Sequence, residues 1–297
     1  MQGHAALAET VAELAASVDA LAALAAYLRV KAEGLNVEPA VYESLSGVVA
    51  ALVTGADDLP EAQRQAIIAM ARTSVFQASE LIDSPDRAPG WSGVDERLLQ
   101  SIGQVSMGVA EAIRVAGGLH PSLGELLTCE GSGFVDVGTG AGWLAIAVAR
   151  MFPGLRVLGI DVLPPALDLA RRNAHETGLE DRIDLRLQDA VTLEPESADI
   201  VWLPMPFLPI GIVPEVIERA IVALRPGGWL LPGTFPGPGH TLPERLMTLR
   251  TLRAGGHPWS ADELTGQLRN AGLLDPAEVP RGWPAPVRLY AGRKPGG

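Results

Sequence analysis

The stretch "FVDVGTGAGWLAIAVAR", residues 134–150, decides the fold. A short apolar run that contains one acid, Asp136, leads into Gly138, Gly140 and Gly142, and an apolar segment of helical composition follows. A buried strand that ends in closely spaced glycines and opens a helix lets backbone N–H groups approach a ligand. The dinucleotide fingerprint G-x-G-x-x-G, counted from Gly138, needs glycine at position 143, where this chain has Trp143. The pattern here is D-x-G-x-G-x-G. A carboxylate in such a strand is unfavourable beside a pyrophosphate and favourable beside a cation, so the stretch predicts a positively charged ligand.

Outward from this stretch, short apolar runs alternate with helical segments. "FVDV" is followed by a helix over 141–152, "LRVLGI" by a helix over 164–177, then come "IDLRL", "DIVWL", a helix over 214–224 and "GWLLP". This alternation predicts an α/β fold with a parallel sheet and crossover helices. Further on, Ser260 with Glu263 three residues later forms a capping box that opens a helix ended by Gly272. "AEVP" and "VRLYAG" read as two closing strands. The first third carries no strand pattern. Leu7, Val11, Leu14, Val18, Leu21, Ala25 and Leu28 alternate in steps of four and three, a heptad stripe expected to be buried, either within the subunit or at a dimer seam. Helices are also expected at "PAVYESLSGVVAALVTG" and "PEAQRQAIIAMARTSVFQASELI". After the turn-rich residues 83–93, one helix is expected over "VDERLLQSIGQVSMGVAEAIRVAGG", stopped by a left-handed Gly118. The expected organisation is a helical cap or dimerisation domain over 1–115 and a ligand-binding α/β domain over 116–297.

The motif "VDVGTGAG" resembles the first motif of the class I S-adenosylmethionine-dependent methyltransferases, an apolar strand with an acid followed by G-x-G-x-G. The resemblance covers about residues 120–294 and implies a Rossmann-like seven-stranded methyltransferase sheet. It also implies S-adenosylmethionine as cofactor and S-adenosylhomocysteine as product. It places Asp136, Gly138, Thr139, Gly140 and Gly142 around the methionine end of the cofactor. Asp161, 23 residues after Gly138, falls on the ribose hydroxyls and Val162 on the adenine. The resemblance also implies that Asp189 and Ala190 contact the adenine amino group and that Leu203, at the end of the fourth strand, adjoins the cofactor. "LRPGGWLL", residues 224–231, is similar to the family's helix, turn and fifth strand.

The end of the fourth strand lies beside the transferring methyl in this family. Many amine and amide N-methyltransferases carry Asn or Asp followed by Pro-Pro and an aromatic residue there, whereas this chain has Leu203-Pro204-Met205-Pro206-Phe207. Without the polar holder, an apolar mouth containing Met205 and Phe207 suits a small, largely apolar aromatic acceptor. Transfer to oxygen and to an electron-rich ring carbon or nitrogen both remain open, as does a protein of the same fold that binds the cofactor for a non-methylating reaction. The helical part loosely resembles the lids of bacterial small-molecule, natural-product methyltransferases, which makes Trp91, Gln104 and Met107 candidates for the acceptor pocket. A hydroxyl acceptor would gain from a base, and His240, after the fifth strand, is the best-placed histidine.

Composition bounds the alternatives. Of 297 residues 47% are hydrophobic, enough for a sizeable core, and the net charge is −12. Residues 1–115 carry 15 acids against 7 bases and residues 116–297 carry 20 against 16, so neither part offers the basic surface that nucleic acid requires. Cys129 is the single cysteine, and no metal-ligand cluster is visible. The N-terminus lacks the basic start and apolar core of a signal peptide. Charges and prolines break the apolar runs short of the ~18 residues of a membrane span. These features predict a soluble, cytoplasmic homodimer that acts on a small molecule, with no membrane or nucleic-acid partner and no metal.

Overall fold

The computed structural model describes residues 2–91, 93–283 and 285–296. The chain divides into two compact units, Met1–Asp86 and Arg87–Gly297. The break falls before the boundary expected at 115, and residues 87–115 belong with the α/β unit.

The first unit comprises α1 (Gln2–Glu33), α2 (Pro39–Leu52) and α3 (Glu61–Asp83). Tyr27, Leu28, Val49 and Ile68 form a buried cluster. The Tyr27 hydroxyl donates to Asp57 Oδ1 at 2.6 Å, and Lys31 pairs with the same carboxylate. The heptad stripe is only half buried. Leu28 is enclosed, but Leu7, Val11, Leu14 and Val18 are 51–62% exposed, because α1 extends beyond the helices it packs on within this unit. The expectation of a stripe buried within one subunit is therefore corrected over its first half. Residues Ala6–Glu33 also form a helix long and apolar enough, by length and composition alone, to cross a membrane. Small alanines between the charges keep its mean hydropathy high, which corrects the expectation that no run reaches that length.

In the second unit, α4 (Glu96–Ser106), α5 (Val109–Leu119) and α6 (Pro121–Thr128) precede the sheet. Where one helix was expected over 94–118, the chain breaks at Met107 and Gly108. Gly118 does not stop a helix, since α5 continues to Leu119 with His120 as its C-cap. The neighbouring Gly117 serves packing instead: a Cβ on Gly124 of α6 would lie 2.7 Å from the Gly117 carbonyl oxygen, so the two helices touch backbone to backbone.

Seven strands follow, β1 (Gly133–Val137), β2 (Arg156–Asp161), β3 (Ile183–Leu187), β4 (Ala198–Pro204), β5 (Leu224–Thr234), β6 (Leu274–Glu278) and β7 (Arg288–Arg293). They lie in the order β3-β2-β1-β4-β5-β7-β6. The first five are parallel, and β7 runs antiparallel between β5 and β6. The helices α7 (Trp143–Met151), α8 (Pro164–Glu176), α9 (Val213–Ala223), α10 (Leu242–Arg253) and α11 (Ala261–Asn270) complete the unit. One core joins α5 and α7 to the sheet through Ile113, Ile146, Phe134 and Leu231. A second core joins α9 and α11 to it through Ile217, Leu264, Val201 and Tyr290. Strand order reverses between β1 and β4, and ligands of open α/β sheets bind in the crevice at such a point, beyond the carboxyl ends of the strands. The Ser260–Glu263 capping box is present, and Gly272 follows α11 with a φ of +93°.

Candidate active site

The loop after β1 is built by its three glycines, all at positive φ. Gly142, at +78°, caps α7, and a Cβ there would lie 2.9 Å from that of Ala170 on α8. A Cβ on Gly140, at +56°, would meet only the Gly138 carbonyl oxygen at 3.9 Å, so the loop leaves open space beside it. The open cleft above the loop has a volume of about 280 Å³, near the lower end of small-molecule sites at about 300 Å³.

Asp161 ends β2 on one wall of the cleft. Its Oδ2 accepts from the Gly140 N–H at 2.8 Å and its Oδ1 from the Leu163 N–H at 2.9 Å. Burial raises its pKa against the pull of these donors. Each oxygen keeps a lone pair, so the carboxylate can still accept two hydroxyl hydrogens of a ribose. Val162, Asp189 and Ala190 continue this wall, and the Asp189 carboxylate also caps the short turn Ala190–Thr192 through the Val191 N–H. Gly138, Thr139 and Gly140 line the floor.

Asp136 lies behind the loop instead of on the wall. It is 1% exposed and accepts from the Thr139 hydroxyl at 2.8 Å. Burial pushes its pKa up to about 7, and the nearby Asp161 adds to the shift while Thr139 opposes it. Gly142 and Leu203 are also absent from the cleft lining, and Leu203 is fully buried in the sheet.

The opposite half of the cleft is apolar. Trp91 and Phe207, both expected there, line it and meet edge to face at a centroid distance of 5.1 Å. Phe235 contacts Phe207 in the same way at 5.9 Å. Gln104, Met107 and Met205 do not line it. Met205 is buried in the core, and the α4 face on the cleft is Leu99, Ile102, Gly103 and Ser106, one helical step from Gln104 and Met107. The spacing i, i+3, i+4, i+7 was the signal for that face. His240 is exposed and outside the lining, so the expected base is not at the cleft. Pro204, Pro209 and Ile212, which the sequence did not single out, complete the apolar half.

The cradle fits an adenosyl ligand. A carboxylate at the end of β2 and a second after β3 flank an open glycine floor. Comparison with known proteins agrees. Residues 134–228 match the profile of a methyltransferase domain family. A release factor glutamine methyltransferase of Chlorobaculum tepidum is 37% identical over 117 residues, which cover 39% of this chain and 37% of that protein. The chain spans about a third to a half of the length of the first curated relatives it matches. Over nearly the whole chain it shares its fold with solved structures. A mitomycin 7-O-methyltransferase is matched with a TM-score of 0.60 and 20% identity over 99% of both chains. An O-methyltransferase family protein from Burkholderia thailandensis is matched at 0.66 and 18% over 98% of both.

Proposed function

We propose that this chain, whose residues 134–228 match a methyltransferase domain family, is a class I S-adenosylmethionine-dependent methyltransferase that methylates a small, largely apolar aromatic metabolite on oxygen or on an electron-rich ring carbon or nitrogen. The observation that carries this proposal is the two-sided cleft, in which a carboxylate-and-glycine half faces an aromatic half across Pro204 and Phe207. S-adenosylmethionine, when bound, supplies an electrophilic methyl on a sulfonium. Asp161 would hold its ribose, Asp189 and Ala190 its adenine edge, and Val162 its adenine face, while Gly138 and Gly140 leave room for the chain that carries the sulfur. On the other side Trp91, Phe207 and the α4 face would grip a flat ring, exclude water and align its nucleophile, and alignment contributes much of the rate in such displacements.

Among the described residues, Asp161 and Asp189 are the ionisable side chains of the cleft lining, and both lie on the cofactor side. This supports an acceptor that is nucleophilic without a protein base. The buried Leu203 at the end of β4 offers no polar hold for an amide, which weighs against glutamine or adenine as acceptor. A subunit of net charge −12 is a poor partner for a polyanion. The test is a panel of aromatic metabolites incubated with the protein and methyl-labelled S-adenosylmethionine, with S-adenosylhomocysteine measured in parallel. Label in a small aromatic product is expected. Robust labelling of protein or nucleic acid, or cofactor consumption without methyl transfer, would overturn the assignment.

A further inference from the structure

Trp143 occupies the position where a dinucleotide fold has its third glycine, and the structure gives it a polar task. Its indole Nε1–H donates to Gln100 Oε1 of α4 at 2.6 Å. The Gln100 and Asn173 amides pair reciprocally. Gln100 Nε2 donates to Asn173 Oδ1 at 2.9 Å, and Asn173 Nδ2 donates back to Gln100 Oε1 at 3.0 Å. Asn173 Nδ2 also donates to the carbonyl oxygen of Ala141, at 2.8 Å, inside the glycine loop. Asn173 is 2% exposed. The tryptophan donor at one end and the Ala141 acceptor at the other fix both amides in one orientation, because flipping either would set like groups face to face. At the same place α4 presses on the loop: a Cβ on Gly103 would lie 2.8 Å from Trp143 Cδ1 and 3.2 Å from the Ala141 Cβ.

We infer that Gln100, Asn173 and Trp143 are positioning residues that couple the glycine loop to α4, so that cofactor binding orders the acceptor wall before the acceptor arrives. The inference rests on the cofactor assignment above. A ligand that stabilises the loop stabilises the Ala141 carbonyl, through it the amide pair, and through Gln100 the helix that presents Leu99, Ile102 and Ser106 to the cleft. Linkage is reciprocal, so an acceptor bound against α4 tightens the cofactor by the same factor.

Hydrogen exchange with S-adenosylhomocysteine as probe tests this without knowledge of the acceptor. In the wild type the ligand should slow exchange in both the 138–142 loop and α4, the latter about fivefold or more, the lower end of usual coupling factors. Gln100→Glu is isosteric but puts a carboxylate oxygen against Asn173 Oδ1. In that variant the loop should still be protected and the α4 response should fall below about twofold. Acidification, which protonates the introduced carboxyl and returns a donor to that position, should restore the response relative to wild type at the same pH. Loss of packing alone would not give that pH dependence. Trp143→Phe, which keeps a ring against Gly103 and the amide pair intact, should show an intermediate loss. Equal α4 protection in the wild type and Gln100→Glu would show that α4 responds to direct ligand contact alone and would overturn the coupling. Absence of S-adenosylhomocysteine binding to the wild type would overturn the cofactor assignment and the inference with it.

Discussion

Asp136 shows how far a single residue can be read. Its presence in an apolar run before G-x-G-x-G pointed to a cationic ligand, but its place behind the loop follows from β1 being flanked by β2 and β4, with Thr139 folding back over it. That enclosure has a consequence for pH. The folded-state pKa of about 7 lies above the ordinary value of 3.8. Between these values the folded protein holds a proton that the unfolded chain has released. The stability linked to this group is therefore fully present below about pH 4 and is lost as pH rises through about 7. The ceiling is about 4 kcal/mol, from ~1.4 kcal/mol per pH unit. Asp136→Asn, an isostere of the protonated acid, should flatten this slope, so that urea denaturation finds variant and wild type alike near pH 4 and the variant ahead near pH 8. An unchanged slope would mean that Asp136 is ionised in the folded state. Asp161 differs in that it faces the cleft, and its spacing from Gly138 made it legible. Asp161→Ala should weaken S-adenosylhomocysteine binding by roughly 1.5–3 kcal/mol, the scale of hydrogen bonds to a charged group. Unchanged affinity in calorimetry would remove it from the ribose.

At the scale of elements, the first four strands and the crossover helices were legible to within about two residues, because buried parallel strands flanked by amphipathic helices leave a strong pattern. By contrast, β5 begins at Leu224, where a helix end and turn were expected before a strand at 228–232, and β6 lies at 274–278, not 277–280. β3 occupies the expected residues 183–187, and α8 the expected 164–177 to within a residue. The helices that shape the acceptor side were less legible. α10 was missed although Leu242, Leu246 and Leu249 recur at helical spacing; these leucines and Leu252 are exposed in the structure and only Thr251 is buried. Its Thr241–Glu244 capping box was a further signal. Its C-terminal turn shapes the aromatic half of the cleft. The Gly90 N–H, next to Trp91, donates to the Arg253 carbonyl at 3.0 Å, and a Cβ on Gly256 would lie 2.0 Å from the Pro206 carbonyl oxygen, next to Phe207. Gly256→Ala must displace one of two backbones. It should cost about 1–3 kcal/mol of stability, as overpacking does, and should lower acceptor turnover by moving Phe207. Phe207→Ala should lower turnover without the loss of stability from overpacking. Both should keep cofactor affinity within about tenfold, or ~1.4 kcal/mol. A large loss of cofactor affinity in either variant would show that the aromatic half belongs to the cofactor.

For the whole molecule, the heptad stripe was visible in the sequence, but its partner was not, since spacing alone does not say whether a seam closes within a chain or between two. The structure narrows the choice by leaving Leu7, Val11, Leu14 and Val18 in solvent while Leu28 is enclosed. Four large apolar side chains in one narrow line at i, i+4, i+7 and i+11 match the geometry by which helices of two copies interlock. Burying each fully is worth about 1.5–3 kcal/mol. Because they are already about half covered, eight such side chains in a symmetric pair would contribute roughly 6–12 kcal/mol, on the scale of the ~8 kcal/mol that corresponds to micromolar affinity, before the cost of association is subtracted. Sedimentation velocity at micromolar concentration should therefore find a dimer. Leu14→Glu combined with Val18→Glu should dissociate it while leaving Tyr27, Leu28, Val49 and Ile68, and so the fold of the first unit, intact by circular dichroism. A wild type that sediments as a monomer would assign the exposed stripe some other partner. A double variant that remains dimeric would place the interface away from α1.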